Sequence, residues 1–305
     1  MSDFIKSLPS WAGTTFTKKT NSQVPPILDP TKVTLPKPFV AIVTGSSRGI
    51  GSGIAKCFAQ AGATGLILTA RTQGSCAKTE DECRRVSPHP SSLKISTFYG
   101  DNGDEAHATA IASLIETEHD GKLNLLVNNA GFLLVDGTAF EKVADINCPN
   151  IEAMTQTCYV GRFYMTKHLM PYLLSGAPDK LRAIANISSV GGHVSGPLGY
   201  SISCLATNRL SQRVDESYAD QGLCCYAVHP GAVWSDGPKE YLPPRMKDFS
   251  NDSQDLCGSF LVWLCKERRQ WLSGRYVDAT WDVEELVQRE GEIVEGDKLK
   301  MRMVV

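Results

Sequence analysis

The chain has 305 residues, of which 42% are hydrophobic, and a formal net charge of −2. That size suits one large α/β domain with a sizeable core, and the near-neutral charge without a long basic run argues against nucleic-acid binding and electrostatic membrane attachment. No apolar stretch approaches a membrane span; Lys6 and Pro9 break up Phe4, Ile5 and Leu8, leaving no signal core, so a cytoplasmic location is expected.

Residues 1–38 read as an N-terminal arm, because Pro9, Pro25, Pro26, Pro30, Pro36 and Pro38 interrupt any regular element. The arm either drapes over the domain or over a partner subunit through Trp11 and Phe16, or it is a partly disordered leader. The stretch Phe39-Val40-Ala41-Ile42-Val43 is apolar and β-branched like a buried strand. It runs into Thr44-Gly45-Ser46-Ser47-Arg48-Gly49-Ile50-Gly51, and Ile54, Ala55, Cys57, Phe58 and Ala59 follow at helical spacing. A strand, a glycine turn and a helix N-terminus make a place for a phosphate.

Strands and helices then alternate. Strands are expected at 66–70, 93–99, 123–127, 181–187, 223–228 and 275–277. Helices are expected at about 75–87, 104–119, 151–174, 201–220 and 253–267. Strict alternation predicts a doubly wound parallel sheet of Rossmann type in a single domain spanning 39–280, followed by a C-terminal tail at 281–305. Ligands in such sheets bind beyond the strand C-termini, where the strand order reverses. The ten cysteines are scattered, with neither a CxxC nor a zinc-finger spacing. They are expected to be reduced and buried, and no metal site is expected.

Three more motifs fall at strand ends: Asn128-Asn129-Ala130-Gly131, Asn186-Ile187-Ser188-Ser189 and His229-Pro230-Gly231. Together with the glycine turn, in this order, they resemble the short-chain dehydrogenase/reductase family over residues 39–280. Leu272-Ser273-Gly274-Arg275-Tyr276 with Trp281-Asp282 is similar to fungal members. The resemblance implies roles. Gly45, Ser47, Arg48, Ile50 and Gly51 would line the pyrophosphate and adenosine ribose, and Asp101 would meet the adenine. Asn128, Asn129, Ala130 and Gly131 would hold the central strand and the adenine side. Pro230, Gly231, Val233 and Ser235 would flank the nicotinamide. No carboxylate follows the second strand to meet a 2′-hydroxyl; Ala70-Arg71-Thr72 stands there. Arg71 and Arg48 suit a 2′-phosphate, which points to NADP(H).

The family's chemistry uses a tyrosine, a serine and a lysine four residues after the tyrosine. Here Tyr200 is followed at that spacing by Cys204, and the family's helix asparagine aligns with Cys158. Ser189 and Tyr200 remain, with Ser188 as the alternative serine if the register slips. A thiol cannot replace an ammonium, whose charge would lower a tyrosine's pKa of about 10. Three readings follow. The first is an NADP(H)-dependent oxidoreductase for the carbonyl or alcohol of a hydrophobic small molecule, in secondary metabolism, with His193 or His229 as substitute relay groups. The second is a non-redox isomerase, dehydratase or cyclase on the same scaffold. The third is a non-catalytic cofactor binder. The connection 232–250, with Trp234, Tyr241, Leu242, Pro243, Pro244 and Met246, reads as a substrate-covering lid. Leu286, Val287, Ile293, Leu299 and Met303 in the tail are expected to anchor a neighbouring subunit, in line with the homo-oligomers common in the family.

Overall fold

In the computed structural model, residues 8–132, 138, 141–175, 180–234, 247 and 250–303 are described. Seven parallel strands form one sheet: β1 (Val40–Val43), β2 (Gly65–Ala70), β3 (Lys94–Tyr99), β4 (Leu125–Asn128), β5 (Ala183–Ile187), β6 (Cys224–His229) and β7 (Tyr276–Asp278). Their spatial order is β3-β2-β1-β4-β5-β6-β7, so the order reverses between β1 and β4.

The inner strands are apolar on both faces because helices cover both. Along β1, Ala41 and Val43 face one core while Val40 and Ile42 face the other, as the two-residue strand period requires. The first core is closed by α1 (Gly49–Gln60), α2 (Ala77–Val86) and α7 (Leu256–Cys265), which contribute Ile54, Phe58, Cys83 and Phe260. The second is closed by α3 (Glu105–Glu118), α5 (Gly161–Leu174) and α6 (Leu198–Tyr218), which contribute Ile111, Ile115, Met165, Leu169 and Val214. The result is the doubly wound Rossmann-type α/β fold that the alternating pattern predicts.

The long helix differs from its expected form. It begins earlier, as α4 (Cys148–Thr155), and passes through a π turn at Gln156–Val160 before α5. The turn brings Gly161 against the loop after β3, where a Cβ would stand 2.1 Å from the Asn102 carbonyl oxygen. No helix among the described residues is long and apolar enough to cross a membrane. All ten cysteines are free, and nine are buried; Cys148 is exposed.

The two ends of the chain meet on the first core. Trp281 is fully buried, donates its indole N–H to the Gly13 carbonyl at 3.0 Å, and packs with Phe16 at a centroid distance of 5.1 Å. The Arg289 guanidinium lies over the other ring of this cluster, 3.7 Å from the Phe16 centroid. Asp282 caps α8 (Val283–Gln288) by accepting from the N–H groups of Glu284 and Glu285. Glu285 in turn accepts the Lys18 backbone N–H at 2.8 Å. The arm therefore lies over its own domain, while Trp11 stays exposed. The tail departs from its expectation: Leu286 and Ile293 are buried in this chain's own core, and of the expected anchors Val287 and Met303 are the exposed ones. The amphipathic pattern is the same for either partner, which is why spacing alone misassigned it.

Replacing Trp281 by Ala removes the centre of this cluster and one of the two hydrogen bonds that the Gly13 carbonyl accepts. Urea unfolding is expected to show a loss of about 3–5 kcal/mol; a loss under about 1 kcal/mol would mean the arm and tail are not part of the cooperative unit.

Candidate active site

The crevice opens at the ends of β1, β4, β5 and β6. The turn after β1 holds Gly45 at φ 65° and Gly49 at φ 61°, a region L-residues rarely adopt. A Cβ on Gly45 would sit 2.9 Å from the Ala130 Cα, and one on Gly51 would sit 2.3 Å from the Gly45 carbonyl oxygen. Asn129 fixes this turn from β4: its Nδ2 donates to the Thr44 carbonyl at 2.8 Å and to the Gly45 carbonyl at 3.1 Å. The Thr44 hydroxyl accepts from the N–H groups of Asn129 and Ala130. Arg48, at the N-cap of α1, supplies no side-chain cap. The first amides of α1 are thus left to a ligand or solvent. Ser47 and Ile50 are half-buried on the same turn, Arg71 is exposed just after β2, and Asp101 is exposed after β3, accepting the Gly103 N–H at 2.8 Å. A turn with no Cβ at Gly45, Gly49 and Gly51, facing a helix N-terminus, fits a dinucleotide pyrophosphate.

Beneath it lies a buried amide chain. Asn128 Nδ2 donates to Asn186 Oδ1 at 2.8 Å and to the Thr166 hydroxyl at 3.2 Å, and Asn186 Nδ2 donates to the Ser211 hydroxyl at 2.8 Å. This chain ties β4 to β5 and to helices α5 and α6 of that layer.

The two serines at the end of β5 point to different neighbours. Ser188 is buried and donates to Asn208 Oδ1 at 2.6 Å. Ser189 accepts the Gly191 N–H at 3.1 Å, and a Cβ on Gly191 would stand 3.4 Å from Ser189 Oγ and 3.2 Å from Tyr200 Cε1, so the two side chains meet there. Ser189, rather than Ser188, is therefore the serine brought to the tyrosine. Burial of the Tyr200 hydroxyl and the neighbouring Cys204 thiol push its pKa well up, against the lowering effects of Ser189 and Arg162. Cys204, one helical turn on, is buried; burial raises its thiol to about 11, with Arg162 opposing. Cys158 sits in the π turn with its thiol against Phe132, and burial raises its pKa as well.

Arg162 is the unexpected member. It is 5% exposed, its Nη1 donates to the Thr207 hydroxyl at 3.0 Å, and its Nε has no partner. Its Nη2 lies 3.3 Å from where a Cβ on Gly131 would stand, beside the Cys158 sulfur at 3.2 Å from the same point. No carboxylate pairs with it among the described residues.

His193 and His229 have other partners. His193 Nε2 is 3.3 Å from Asn208 Nδ2, and its ring meets Tyr276 edge-on at 4.5 Å. Burial, then the neighbouring His229, lower its pKa and favour the neutral ring. His229 Nδ1 accepts the Val190 N–H at 3.4 Å. Gly231 stands at φ 88° against Asp252, which accepts the Ala232 N–H at 2.7 Å. Pro230 and Val233 are buried beside it. Ser235 and most of the expected lid, including Tyr241, Leu242, Pro243, Pro244 and Met246, lie outside the described residues.

The model of the short chain dehydrogenase family matches residues 39–244. The chain belongs to that family. Among its relatives, Short chain dehydrogenase pgmD of Aspergillus terreus is 35% identical over 308 aligned positions, covering 99% of this chain and 98% of the relative. Short chain dehydrogenase mpl6 of Monascus purpureus is 36% identical over 304 positions, covering 98% of this chain and all of the relative. Among solved structures, a dehydrogenase/reductase from Sinorhizobium meliloti 1021 superposes with a TM-score of 0.67 at 22% identity, covering 82% of this chain and 96% of that one. The 3-oxoacyl-[acyl-carrier protein] reductase from Brucella melitensis, solved in complex with NAD, gives 0.68 at 23% identity, over 80% and 96%. These structural likenesses support the fold of this short-chain dehydrogenase.

Motif reading passed over Arg162, because the family pattern assigns it nothing. A signal was present: Cys158, Gly161, Met165, Thr166, Leu169 and Leu173 mark one buried helical face, and Arg162 falls on it. The two serines separate by stability. Ser188→Ala orphans the buried Asn208 oxygen and is expected to cost about 2 kcal/mol in urea unfolding. Ser189→Ala, half-buried at the crevice, is expected to cost less than about 1 kcal/mol. The reverse order would contradict the geometry.

Proposed function

We propose that this short-chain dehydrogenase is an NADP(H)-dependent oxidoreductase that interconverts a carbonyl and an alcohol on a hydrophobic small molecule of secondary metabolism. The observation that carries it is the pairing of Ser189 and Tyr200 around Gly191, beyond the end of β5 and beside a glycine turn clamped by Asn129. When bound, the nicotinamide supplies the hydride. The chain's own residues do the rest. Ser189 donates to the carbonyl oxygen and holds it against Tyr200. The Tyr200 hydroxyl donates the proton to that oxygen as its charge develops. Arg48 and Arg71 receive a 2′-phosphate, which supports NADP(H) over NAD(H) in the absence of a carboxylate at 70–72. Gly45, Ser47, Ile50 and Gly51 hold the pyrophosphate, Asp101 the adenine, and Asn129 and Gly131 the adenine side, while Asn128, expected there, is buried beneath and holds the central strands instead. Pro230, Gly231, Val233 and Ser235 flank the nicotinamide. Working as a homo-oligomer in the cytoplasm completes the reading.

The raised pKa of Tyr200 favours one direction. A phenol that stays protonated remains competent as an acid when the pH rises, whereas oxidation needs its phenolate. Carbonyl reduction is therefore expected to run without a basic limb from about pH 6 to about pH 9, and alcohol oxidation to rise about tenfold per pH unit there. The pH dependence of kcat in both directions checks this; a reduction rate falling across that range would contradict it.

The first test is a fluorescence titration with NADPH against NADH. NADPH is expected to bind more tightly, and Arg71→Ala to erode the preference about tenfold. Binding without oxidation of NADPH by any aromatic or aliphatic ketone would favour the non-redox reading on the same site. No binding of either cofactor would overturn the oxidoreductase.

A further inference from the structure

We propose that Asn208 is a positioning residue for the candidate site: its amide clips both ends of the loop after β5 to α6, and so holds Ser189 against Tyr200. The inference rests on the oxidoreductase reading for the roles of Ser189 and Tyr200, and on hydrogen bonds and packing for the clip itself.

The loop is short and closed. Ser189 opens a single 3-10 turn at Val190–Gly192, in which the Gly192 N–H donates to the Ser189 carbonyl at 3.0 Å and the His193 N–H to the Val190 carbonyl at 2.8 Å. The two ends, Ser188 and His193, meet the same side chain. The Ser188 hydroxyl donates to Asn208 Oδ1 at 2.6 Å, which leaves Asn208 Nδ2 to face His193 Nε2 at 3.3 Å. An amide nitrogen only donates, so that ring nitrogen accepts and the proton of the neutral ring sits on Nδ1. Asn208 is 4% exposed, so its amide is satisfied by these partners rather than by solvent.

Between its ends the loop lies directly on the helix. Tyr200, Cys204 and Asn208 recur every four residues and share one face of α6. A Cβ on Gly191 would stand 3.2 Å from Tyr200 Cε1, and one on Gly192 would stand 3.1 Å from Cys204 Cβ and from the Leu205 backbone nitrogen. Gly191, Gly192 and His193 thus meet three successive turns of the helix. The two glycines let the backbone come down on the first two turns, and the amide at the third stops it lifting. Other holds on the loop are less specific. Ser188 also donates to the Cys204 carbonyl at 3.3 Å, a bond that any residue at 204 would offer. The Val190 N–H reaches His229 Nδ1 at 3.4 Å, but from β6 rather than from the tyrosine's helix.

Asn208 lies two turns from Tyr200, about 12 Å along the helix axis. It therefore touches no reacting atom and acts through Ser188 and His193. Its leverage is geometric: a serine hydroxyl misplaced by about 1 Å no longer holds the carbonyl oxygen where the tyrosine can protonate it.

The test labels Tyr200 as 3-fluorotyrosine and reads its fluorine resonance with neither substrate nor cofactor. In the parent, Ser189→Ala is expected to move the resonance, because the two side chains meet around Gly191. Asn208→Leu combined with Ser188→Ala replaces both partners of the shortest bond by apolar groups, so Tm is expected to stay within about 5 °C of the parent. In that double variant the shift caused by Ser189→Ala is expected to shrink by at least about half, as in a coupled mutant cycle. Asn208→Asp still accepts from Ser188, and accepts from His193 once the ring's proton moves to Nε2, so it is expected to keep the parent's shift; nitrogen NMR of His193 reads that move. Where a ketone is turned over, the double variant is expected to lose about tenfold or more in kcat with the Kd for NADPH within about twofold of the parent. A Ser189→Ala shift that is absent in the parent, that survives in full in the double variant, or that is lost equally in Asn208→Asp would overturn the inference and leave Asn208 satisfying buried polar groups and nothing more. Absence of turnover in the parent would overturn the oxidoreductase reading alone, since the fluorine shift needs no reaction.

Discussion

Everything at the crevice depends on two hydrogen bonds from one amide. Asn129 donates to the carbonyls of Thr44 and Gly45, and so joins the end of β4 to the turn after β1. These are the two strands between which the sheet reverses its order. The turn needs left-handed backbone at Gly45, and Asn129 holds it from β4 while Ser46, buried and bonded to the Thr69 carbonyl, holds it from β2. The same amide therefore sets both the shape of the phosphate cradle and its distance from the residues beyond β4 and β5. Asn128, one residue earlier, faces the other way and stitches the sheet to its helices through Asn186 and Ser211. One dipeptide divides its labour between the cradle and the scaffold below it.

The electrostatics around Tyr200 follow from burial. Neutral groups surround it: two thiols, a serine hydroxyl and a second phenol. Burial and then the Cys204 thiol hold the tyrosine in its protonated form, which suits donation to a carbonyl and opposes the reverse step, and Arg162 opposes them only weakly. The exposed arginines at the cofactor end act under the opposite conditions. Arg71 works in solvent, where geometry and the charge on its ligand decide what it contributes.

Much of the fold was legible in the sequence because apolar runs, turn residues and their alternation obey local rules. Each of the seven strands lies within a residue or two of where its pattern puts it. The candidate site was partly legible: Gly45, Asn129 and Ser189 fall at strand ends that the alternation locates, and Tyr200 lies in the first turn of α6. Three things were not. The π turn leaves no mark in the apolar pattern, since it is a change of hydrogen-bond register within one continuous helical run. The choice between Ser188 and Ser189 depends on a side chain of α6, Asn208, that is distant in sequence. The partner of the tail's apolar stripe is invisible in the stripe itself, which serves an interface and a core equally well. Arg162 was overlooked for a different reason: its meaning comes from the absence of a partner, and sequence spacing does not report absences.

The clasp between Gly13, Phe16 and Trp281 has a consequence for how the protein is made. Gly13 and Phe16 are translated more than 260 residues before the indole that they close on. That part of the arm must therefore wait for its partner until the strands of the domain have emerged. Synthesis order and docking order are opposed at this point, so residues translated before the domain dock after it. A nascent chain stalled before Trp281 would present an open groove on the first core.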